Sequence, residues 1–183
     1  GTQTTVHCDA ICLYTYDEGT DSFYPPKVFG VRRPDMVTFL PQVPRDSIVF
    51  SMLYRDEPYI VNRISTDSLF SSRRFSQEEE IESCIVLPLK VGARRVGVIF
   101  VNYRSPHHFT KDEVSYLLHL ANQAAVAIWN AQLYPGIVDR SKTLAALYEA
   151  GKAVTGSLAL DEILSQIAER AYTLTNHGNA LVS

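Results

Sequence analysis

This sequence has few cysteines, a small net charge and no long apolar run. Each of these features argues against a class of protein. The 183 residues contain three cysteines, an odd number that argues against a disulfide framework and for a reducing compartment. The net charge of −3 gives no electrostatic reason to bind nucleic acid. No apolar run approaches the roughly 20 residues of a membrane span, and the N-terminus lacks the regions of a signal peptide. We therefore expect a cytoplasmic chain with no nucleic-acid partner and no direct membrane contact.

The length of the chain suits one domain of ordinary size with an appendage, because two complete domains would be cramped. The two ends resemble each other. The pattern His7-Cys8-Asp9-Ala10-Ile11 returns as His177-Gly178-Asn179-Ala180-Leu181, and each stretch begins an apolar run. A pattern that returns after a fixed distance predicts tandem domains. We expect a first domain without its own N-terminal helices and a second domain that is cut short.

Alternating and β-branched runs predict an antiparallel sheet. Residues 6–16 alternate and run into the turn-forming stretch 18–21, which indicates a β-hairpin. The runs 83–89 and 95–103 flank a turn with a glycine and predict a second hairpin. A short strand is predicted over 58–64.

The chain between the two hairpins is predicted to contain a connector and short helical segments. Residues 31–44 contain three prolines and are expected to form an irregular connector. A short helix is predicted over 46–54. The polar segment 65–82 is expected to contain one helical turn, at residues 77–80.

The clearest helix begins after Thr110. Thr110 and Glu113 have the spacing of a capping box, and Phe109 with Val114 can form a hydrophobic staple. The apolar residues that follow recur at three- and four-residue spacing, which predicts a helix that covers one face of the sheet. This stripe consists of Val114, Leu117, Leu118, Ala121, Ala125 and Ile128.

Beyond Pro135-Gly136 the apolar residues take the a/d rhythm of a coiled coil. The seam consists of Leu133, Ile137, Arg140, Leu144, Leu147, Gly151, Val154 and Leu158. Arg140 and Gly151 suit a coiled-coil seam poorly. A further amphipathic helix is predicted over Asp161–Thr175, followed by a strand that is cut short.

Several stretches, in their order along the chain, resemble the GAF domains of signalling proteins. They are Cys8-Asp9-Ala10, Pro58-Tyr59-Ile60-Val61, Ser83 to Leu89, Val96-Gly97-Val98-Ile99, Phe109 to Glu113, and Leu120 to Tyr134. The resemblance implies an α+β, GAF-like (PAS-like) fold. It has a central antiparallel sheet, helices on one face, a ligand pocket on the other, and a long C-terminal helical extension.

The same resemblance divides the chain. Residues 1–134 are expected to form a GAF domain without its N-terminal helices, and residues 135–158 a helical linker with a heptad-like pattern. Residues 159–183 would supply the first helix and strand of a following GAF repeat. The stretches Leu147 to Gly151 and Ser157 to Leu164, which resemble the N-terminal helices of a GAF domain, support this division.

The resemblance places a ligand pocket between the short helix, the polar segment and the sheet. The candidate ligand-binding residues are Phe50, Tyr54, Phe70, Arg73, Arg74 and Phe75. Aromatic walls beside guanidinium groups suit a small anionic or heterocyclic ligand. The alternative is that the aromatic residues belong to the core and the arginines are solvated. The sequence identifies neither the ligand nor a cofactor.

Two ligand classes found in the family lack their residues here. Relatives that bind cyclic nucleotides carry an Asn-Lys…Phe…Asp-Glu signature, which Asn62-Arg63 followed by Ile64-Ser65 does not reproduce. Relatives that attach a bilin need a cysteine in the region corresponding to 65–75, and that stretch contains none. Cyclic-nucleotide binding is therefore disfavoured and a covalent chromophore is not expected.

Metal binding is not expected either. On one continuous strand Cys8 and Cys12 would share a face about 13 Å apart, at roughly 3.3 Å per residue, and His7 would point to the other face. That separation is too large for a shared zinc ion, whose bonds to sulfur are about 2.3 Å long. His107 and His108 are expected to be a solvated pair in a loop.

We therefore expect a noncatalytic sensory or regulatory module of a larger signalling protein, and no catalytic residues. It would bind a small molecule, dimerise, or both, and pass a conformational signal through the linker helix. The expected dimer forms through the linker helices or by exchange of the Asp161–Thr175 helix. One alternative is a purely structural dimerisation domain with a self-filled pocket. A second is a GAF-type reductase of free methionine sulfoxide.

Overall fold

The structure is a computed structural model that describes residues 7–38 and 42–133. The predicted linker 135–158 and the segment 159–183 lie outside the described residues. The strands are β1 (Ala10–Asp17), β2 (Ser22–Phe23), β3 (Lys27–Phe29), β4 (Tyr59–Val61), β5 (Ser83–Val91) and β6 (Arg94–Tyr103). The helices are α1 (Asp35–Thr38), α2 (Ile48–Leu53), α3 (Arg74–Glu78) and α4 (Lys111–Leu133), with a 3-10 turn at Ile64–Thr66.

The six strands form one antiparallel sheet in the order β2-β1-β6-β5-β4. Strand β3 shares the outer edge of β1 with β2: the N-terminal half of β1 pairs with β3 and its C-terminal end with β2. The hairpins predicted around β1 and between β5 and β6 are confirmed. The long strands β1, β6 and β5 therefore form the centre of the sheet.

Strands β1 and β6 come unusually close at Gly97, which pairs with Thr15. A Cβ atom at Gly97 would lie 2.4 Å from the carbonyl oxygen of Tyr14. Any side chain at this position would push the two central strands apart. Glycine is needed here for the close approach of the two backbones.

Helix α4 covers one face of the sheet, as its apolar stripe predicts. The residues of α4 that pack into this core are Leu117, Leu120, Ala121, Ala125, Ala127 and Ile128. They meet alternate residues of the central strands, among them Ile11, Leu13, Ile85, Leu87, Ile99 and Val101. None of the described helices combines the length and the apolar character that crossing a membrane requires.

The predicted capping box of α4 is half formed. The amide of Glu113 donates to Thr110 Oγ1 at 3.2 Å. The carboxylate of Glu113 turns instead towards Tyr103 and His107, which lie before the helix. The capping signal therefore identifies the start of the helix, while the glutamate has a different partner.

The opposite face of the sheet carries a second apolar cluster under α2. The side chain of Ser47 caps α2 by accepting from the amide of Phe50, and the helix ends at Tyr54. The predicted helix over 46–54 is therefore confirmed. The residues of α2 that pack on this face are Val49, Phe50, Met52 and Leu53, against strand residues that include Cys12, Val86, Val98 and Phe100.

Two local predictions are wrong. The helical turn expected at residues 77–80 lies earlier, in α3, because Glu80 adopts a left-handed backbone conformation with φ of 56° and ends the helix. Cys8 and Cys12 do not share a face. The chain bends at Asp9, before β1 begins, so Cys8 packs against the α4 side and Cys12 lies on the α2 side.

Candidate functional site

A cavity of about 160 Å³ lies between the sheet and the segments that carry α2 and α3. Strands β1 and β6 form its floor, with Cys12, Tyr14, Phe100 and Asn102. Its other walls are formed by Ile48, Val49, Phe70, Arg73, Arg74, Phe75 and Ser76. A concave, mostly apolar site with a few polar groups is typical of small-molecule binding.

Four of the six candidate residues line this cavity: Phe70, Arg73, Arg74 and Phe75. The other two lie elsewhere, because α2 turns Ile48 and Val49 towards the cavity. Phe50 is buried in an aromatic cluster, with its ring centroid 4.9 Å from that of Phe23. Tyr54 is 53% exposed. Whether the four lining residues bind a ligand stays a prediction.

The floor residues were not among the sequence candidates, although the sequence contains a signal for them. In a strand, alternate side chains share one face. Cys12 and Tyr14 of β1, and Phe100 and Asn102 of β6, therefore share the face that meets the cavity, and Cys12 pairs directly with Phe100 in the sheet. Polar residues at such positions, Asn102 above all, mark the floor.

Three uncharged polar side chains of the cavity have unused hydrogen-bonding capacity. Asn102 is 4% exposed and donates weakly from Nδ2 to the carbonyls of Ala10 and Phe100, at 3.4 and 3.5 Å. Within residues 7–38 and 42–133, no donor reaches its carboxamide oxygen, and the hydroxyls of Tyr14 and Ser76 have no side-chain partner. Every fully buried side-chain N or O atom of this part of the chain is paired. These three groups therefore open to the cavity.

The two lining arginines differ in their partners. Arg74 lies 3.6 Å from the carboxylate of Glu78, one helical turn away. Arg73 donates from Nε to the carbonyl of Leu69 at 3.0 Å, and no described carboxylate pairs with it. Both arginines are exposed, in agreement with the expectation that they are solvated, and Arg73 lines the cavity without a carboxylate partner among the described residues.

The thiols are held in their neutral form. Burial raises the pKa of Cys12 to about 12, and the nearby negative charge of Glu79 adds to the rise. Burial also raises the pKa of Cys84 to about 12 and that of Cys8 to about 11. Thiolate chemistry needs a lowered pKa and access, and these cysteines have the opposite environment.

A buried ion pair lies beside the cavity. The Glu79 side chain is fully buried, and its carboxylate accepts from the amides of Arg32 and Arg33 at 2.9 and 2.6 Å. Arg104 Nη2 donates to the same carboxylate at 2.6 Å. Burial alone would raise the pKa of Glu79, but these hydrogen bonds outweigh it and hold the pKa below its usual value.

Arg104 also ties the loop after β3 to the start of β1. Its Nη2 donates to the carbonyl of Gly30 at 2.9 Å, and its backbone amide donates to the carboxylate of Asp9 at 2.8 Å. Gly30 has φ of 65°, and a Cβ atom there would lie 2.1 Å from the carbonyl oxygen of Asp9. The Glu79–Arg104 ion pair thus holds together segments that are distant in sequence.

A second polar cluster lies at the other face, where β6 leads into α4. His107 Nε2 lies 2.7 Å from one oxygen of Glu113 and 2.9 Å from the other. The His107 ring stacks on Tyr103 at 4.1 Å, and Tyr103 donates to Glu113 at 3.2 Å. Burial, followed by the charge of Glu113, raises the pKa of Tyr103. The prediction of a solvated histidine pair is wrong for His107.

Among the residues that the structure describes, no group of three or more His, Cys, Asp or Glu side chains could hold a metal ion. The site is best described as a mostly apolar cavity with two arginines, three neutral polar groups and a neutral thiol.

Solved structures with the same fold come from several organisms. The chain is similar to the GAF domain/HD domain protein from Geobacter sulfurreducens, with 19% identity and a TM-score of 0.58 over 70% of this chain and 84% of that one. It is also similar to the GAF domain of a two-component sensor histidine kinase from Bacillus halodurans, with 23% identity and a TM-score of 0.55 over 71% and 87%.

A third similar structure is a type II free methionine-R-sulfoxide reductase from Thermoplasma acidophilum, with 15% identity and a TM-score of 0.51 over 66% of this chain and 79% of that one. Comparison with curated protein sequences finds no significant match. The family model described as GAF domain matches residues 2–128, which is well over half of the sequence. The chain therefore belongs to the GAF domain family.

Proposed function

We propose that this GAF domain is a noncatalytic sensory or regulatory module of a larger, cytoplasmic signalling protein. It binds a small molecule in the cavity and passes the effect to α4. The observation that carries the proposal is that β1 and β6 form the cavity floor on one face and contact α4 on the other. Similarity to a GAF domain of a sensor histidine kinase supports the same role.

The coupling follows from the alternation of side chains in the two central strands. Cys12 and Phe100 face the cavity, while their neighbours Ile11 and Val101 pack against the α4 side. The end of α4 is also tied to the sheet, because Gln132 Nε2 donates to the carbonyl of Tyr16 at 2.9 Å. A ligand that displaces the floor strands would therefore displace α4, provided that it binds the two conformations of the domain with different affinity.

We propose that the domain transmits its conformational signal as part of a dimer. Val126 and Leu133 of α4 are 47% and 44% exposed and lie seven residues apart. This places both on one stripe of the helix, and Leu133 is also the first residue of the heptad-like seam. We propose that the linker 135–158 pairs with that of a second copy and connects to a following GAF repeat. Exchange of the Asp161–Thr175 helix between chains is the alternative route to a dimer.

A free methionine sulfoxide reductase is the second candidate, because one similar structure has that activity. The raised thiol pKa values argue against it, since they keep the cysteines neutral at physiological pH. The third candidate, a structural domain with a self-filled pocket, is opposed by the volume that remains open beside Arg73.

Native mass spectrometry of the purified chain, beside its denatured mass, tests the proposal. We expect added mass that is lost on denaturation, or added mass after incubation with a mixed library of neutral, anionic and cationic small molecules. The matched variant is Ile48→Trp, which fills the cavity from a half-buried position on α2 and should abolish binding. If no molecule binds, or if Ile48→Trp binds as well as wild type, the cavity is not a ligand site.

A further inference from the structure

We infer that the cavity takes a compact carboxylate with a single planar ring. The ring would lie between the aromatic side chains, and the carboxylate would pair with Arg73. This inference rests on the proposed function, because it names the class of ligand for the same cavity.

The size of the cavity limits the ligand. A dry protein cavity of about 150 Å³ is known to hold benzene. At about 160 Å³ the cavity here has room for one six-membered ring with a small substituent that reaches the opening. A nucleotide, with a base, a sugar and a phosphate, is much larger than this space.

The shape of the walls favours a planar ring. Phe70 is 5% exposed, and its outer side stacks on Tyr59 with the centroids 5.9 Å apart. Phe100 is fixed on the floor by an edge-to-face contact with Tyr14 at 5.7 Å. Aromatic walls that are already held in place form a rigid slot, and such a slot binds a flat ring without ordering new side chains.

The charge around the cavity favours an anion. Glu78 lies 3.6 Å from Arg74 and 3.9 Å from Arg33, while no described carboxylate pairs with Arg73. In the part of the chain that the structure describes, no Asp or Glu lines the cavity, so a cationic ligand would find no opposite charge. Cys12 adds no negative charge, because burial keeps it in the thiol form. A guanidinium group can bind a carboxylate with two parallel hydrogen bonds.

The neutral polar groups allow a second substituent on the ring. The unpaired carboxamide oxygen of Asn102 can accept a hydrogen bond, and the hydroxyls of Tyr14 and Ser76 can donate or accept one. Asn102 pairs with Ala10 and Tyr14 with Val98, so they lie at opposite ends of the floor. A hydroxyl or carbonyl on the ring would therefore find a partner at either end.

The test compares two probes of nearly identical shape, para-fluorobenzoate and its neutral counterpart para-fluorobenzamide, by fluorine NMR titration. We expect para-fluorobenzoate to bind the wild-type chain and to bind about tenfold more weakly to Arg73→Gln, because the charge-assisted contact is lost. Arg74→Gln is the matched control and should change the affinity by less than about twofold, since Glu78 already compensates that charge. Arg73→Lys retains the charge and should recover most of the binding.

Two further variants locate the probe. Ile48→Trp fills the cavity from α2 and Cys12→Met fills it from the floor, and each should abolish binding of para-fluorobenzoate while circular dichroism remains that of a folded domain. Equal affinity for the two probes, or equal affinity of wild type and Arg73→Gln, overturns the ligand class. If the filling variants still abolish binding in that case, the cavity remains a ligand site and the proposed function stands. Binding that survives both filling variants overturns the inference, because the probe then lies outside the cavity.

Discussion

Arg104 donates from Nη2 to the carboxylate of Glu79 at 2.6 Å, although the two residues are 25 positions apart in the chain. The Glu79 side chain is fully buried and that of Arg104 is 17% exposed, so the ion pair is largely removed from water. A buried carboxylate is tolerated only when its oxygens are paired, and the amides of Arg32 and Arg33 complete the pairing. The ion pair therefore contributes to the stability of the domain and holds together segments that lie behind the residues lining the cavity.

Replacing Glu79 by Gln should destabilise the domain by about 3 kcal/mol, because it leaves the Arg104 guanidinium buried opposite a neutral group. The measurement is the free energy of unfolding from urea titration. The control is Glu80→Gln, which removes an exposed ion pair with Arg32 and should cost less than about 1 kcal/mol. Equal losses in the two variants would mean that burial of Glu79 contributes nothing.

The pH dependence of stability should follow the same carboxylate. The folded-state pKa of Glu79 lies below its unfolded value, so its contribution is present above the unfolded pKa and is lost as the pH falls through the folded pKa. We expect the free energy of unfolding of the wild-type chain to fall as the pH drops through the acidic range below the ordinary glutamate pKa of about 4.3. Urea titrations over this range should show a smaller fall in the free energy of unfolding for Glu79→Gln. Parallel curves for the two chains would mean that Glu79 is not the source of the pH dependence.

Gly30→Ala should destabilise the domain by more than about 2 kcal/mol. Its φ of 65° is costly for alanine, and its Cβ atom would lie 2.1 Å from the carbonyl oxygen of Asp9. Gly92 is a close control, because its φ is 60° and a Cβ atom there would have no neighbour within 4 Å. Gly92→Ala should therefore show only the backbone cost of about 1 kcal/mol. Thermal and urea unfolding of both variants separate the steric contribution from the conformational one.

The thiols of the native chain should react slowly with a disulfide reagent at pH 8. The reason is that burial raises the pKa of each cysteine, to about 11 for Cys8 and about 12 for Cys12 and Cys84. All three should react rapidly in denaturant. A thiol that reacts rapidly in the native chain, together with thiol-dependent reduction of free methionine sulfoxide, would instead make the reductase the leading candidate.

Local signals account for the parts of the fold that were predicted correctly. The two hairpins follow from alternation and turn residues, and the start of α4 from the capping signal at Thr110. Each of these signals is contained within a few residues, so the sequence displays it directly.

The contacts that sequence reasoning missed join residues outside one local pattern. The run Gln77 to Glu80 is polar and typical of an exposed segment, but Glu79 is buried because Arg104 and the amides after β3 reach it. The sequence predicts a solvated His107 because two adjacent side chains in a loop usually diverge, whereas in the structure His107 contacts Glu113, the residue expected to complete the capping box. In both cases the partner of the carboxylate lies outside the local pattern to which the carboxylate belongs, so only the three-dimensional structure identifies it.

The candidate site was found in part for a related reason. The family resemblance pointed to the segment that holds Phe70, Arg73, Arg74 and Phe75, and all four line the cavity. Prediction of the floor residues would have needed the face of β1 and β6 that is turned towards that segment. Sequence alternation divides the strand residues into two sets, but it does not say which set meets the cavity.

The ties made by Arg104 also constrain the order of events during synthesis of the chain. Its backbone amide bonds to Asp9 across 95 positions, and its side chain bonds to Gly30 across 74. The segments around Asp9 and Gly30 therefore lack these ties on a nascent chain that has not yet reached residue 104. Closing such long loops is slow compared with forming a helix or hairpin. Phe100 and Asn102 of the cavity floor are also synthesised late, so a ligand of the proposed site would find a complete cavity only after most of the domain has been made.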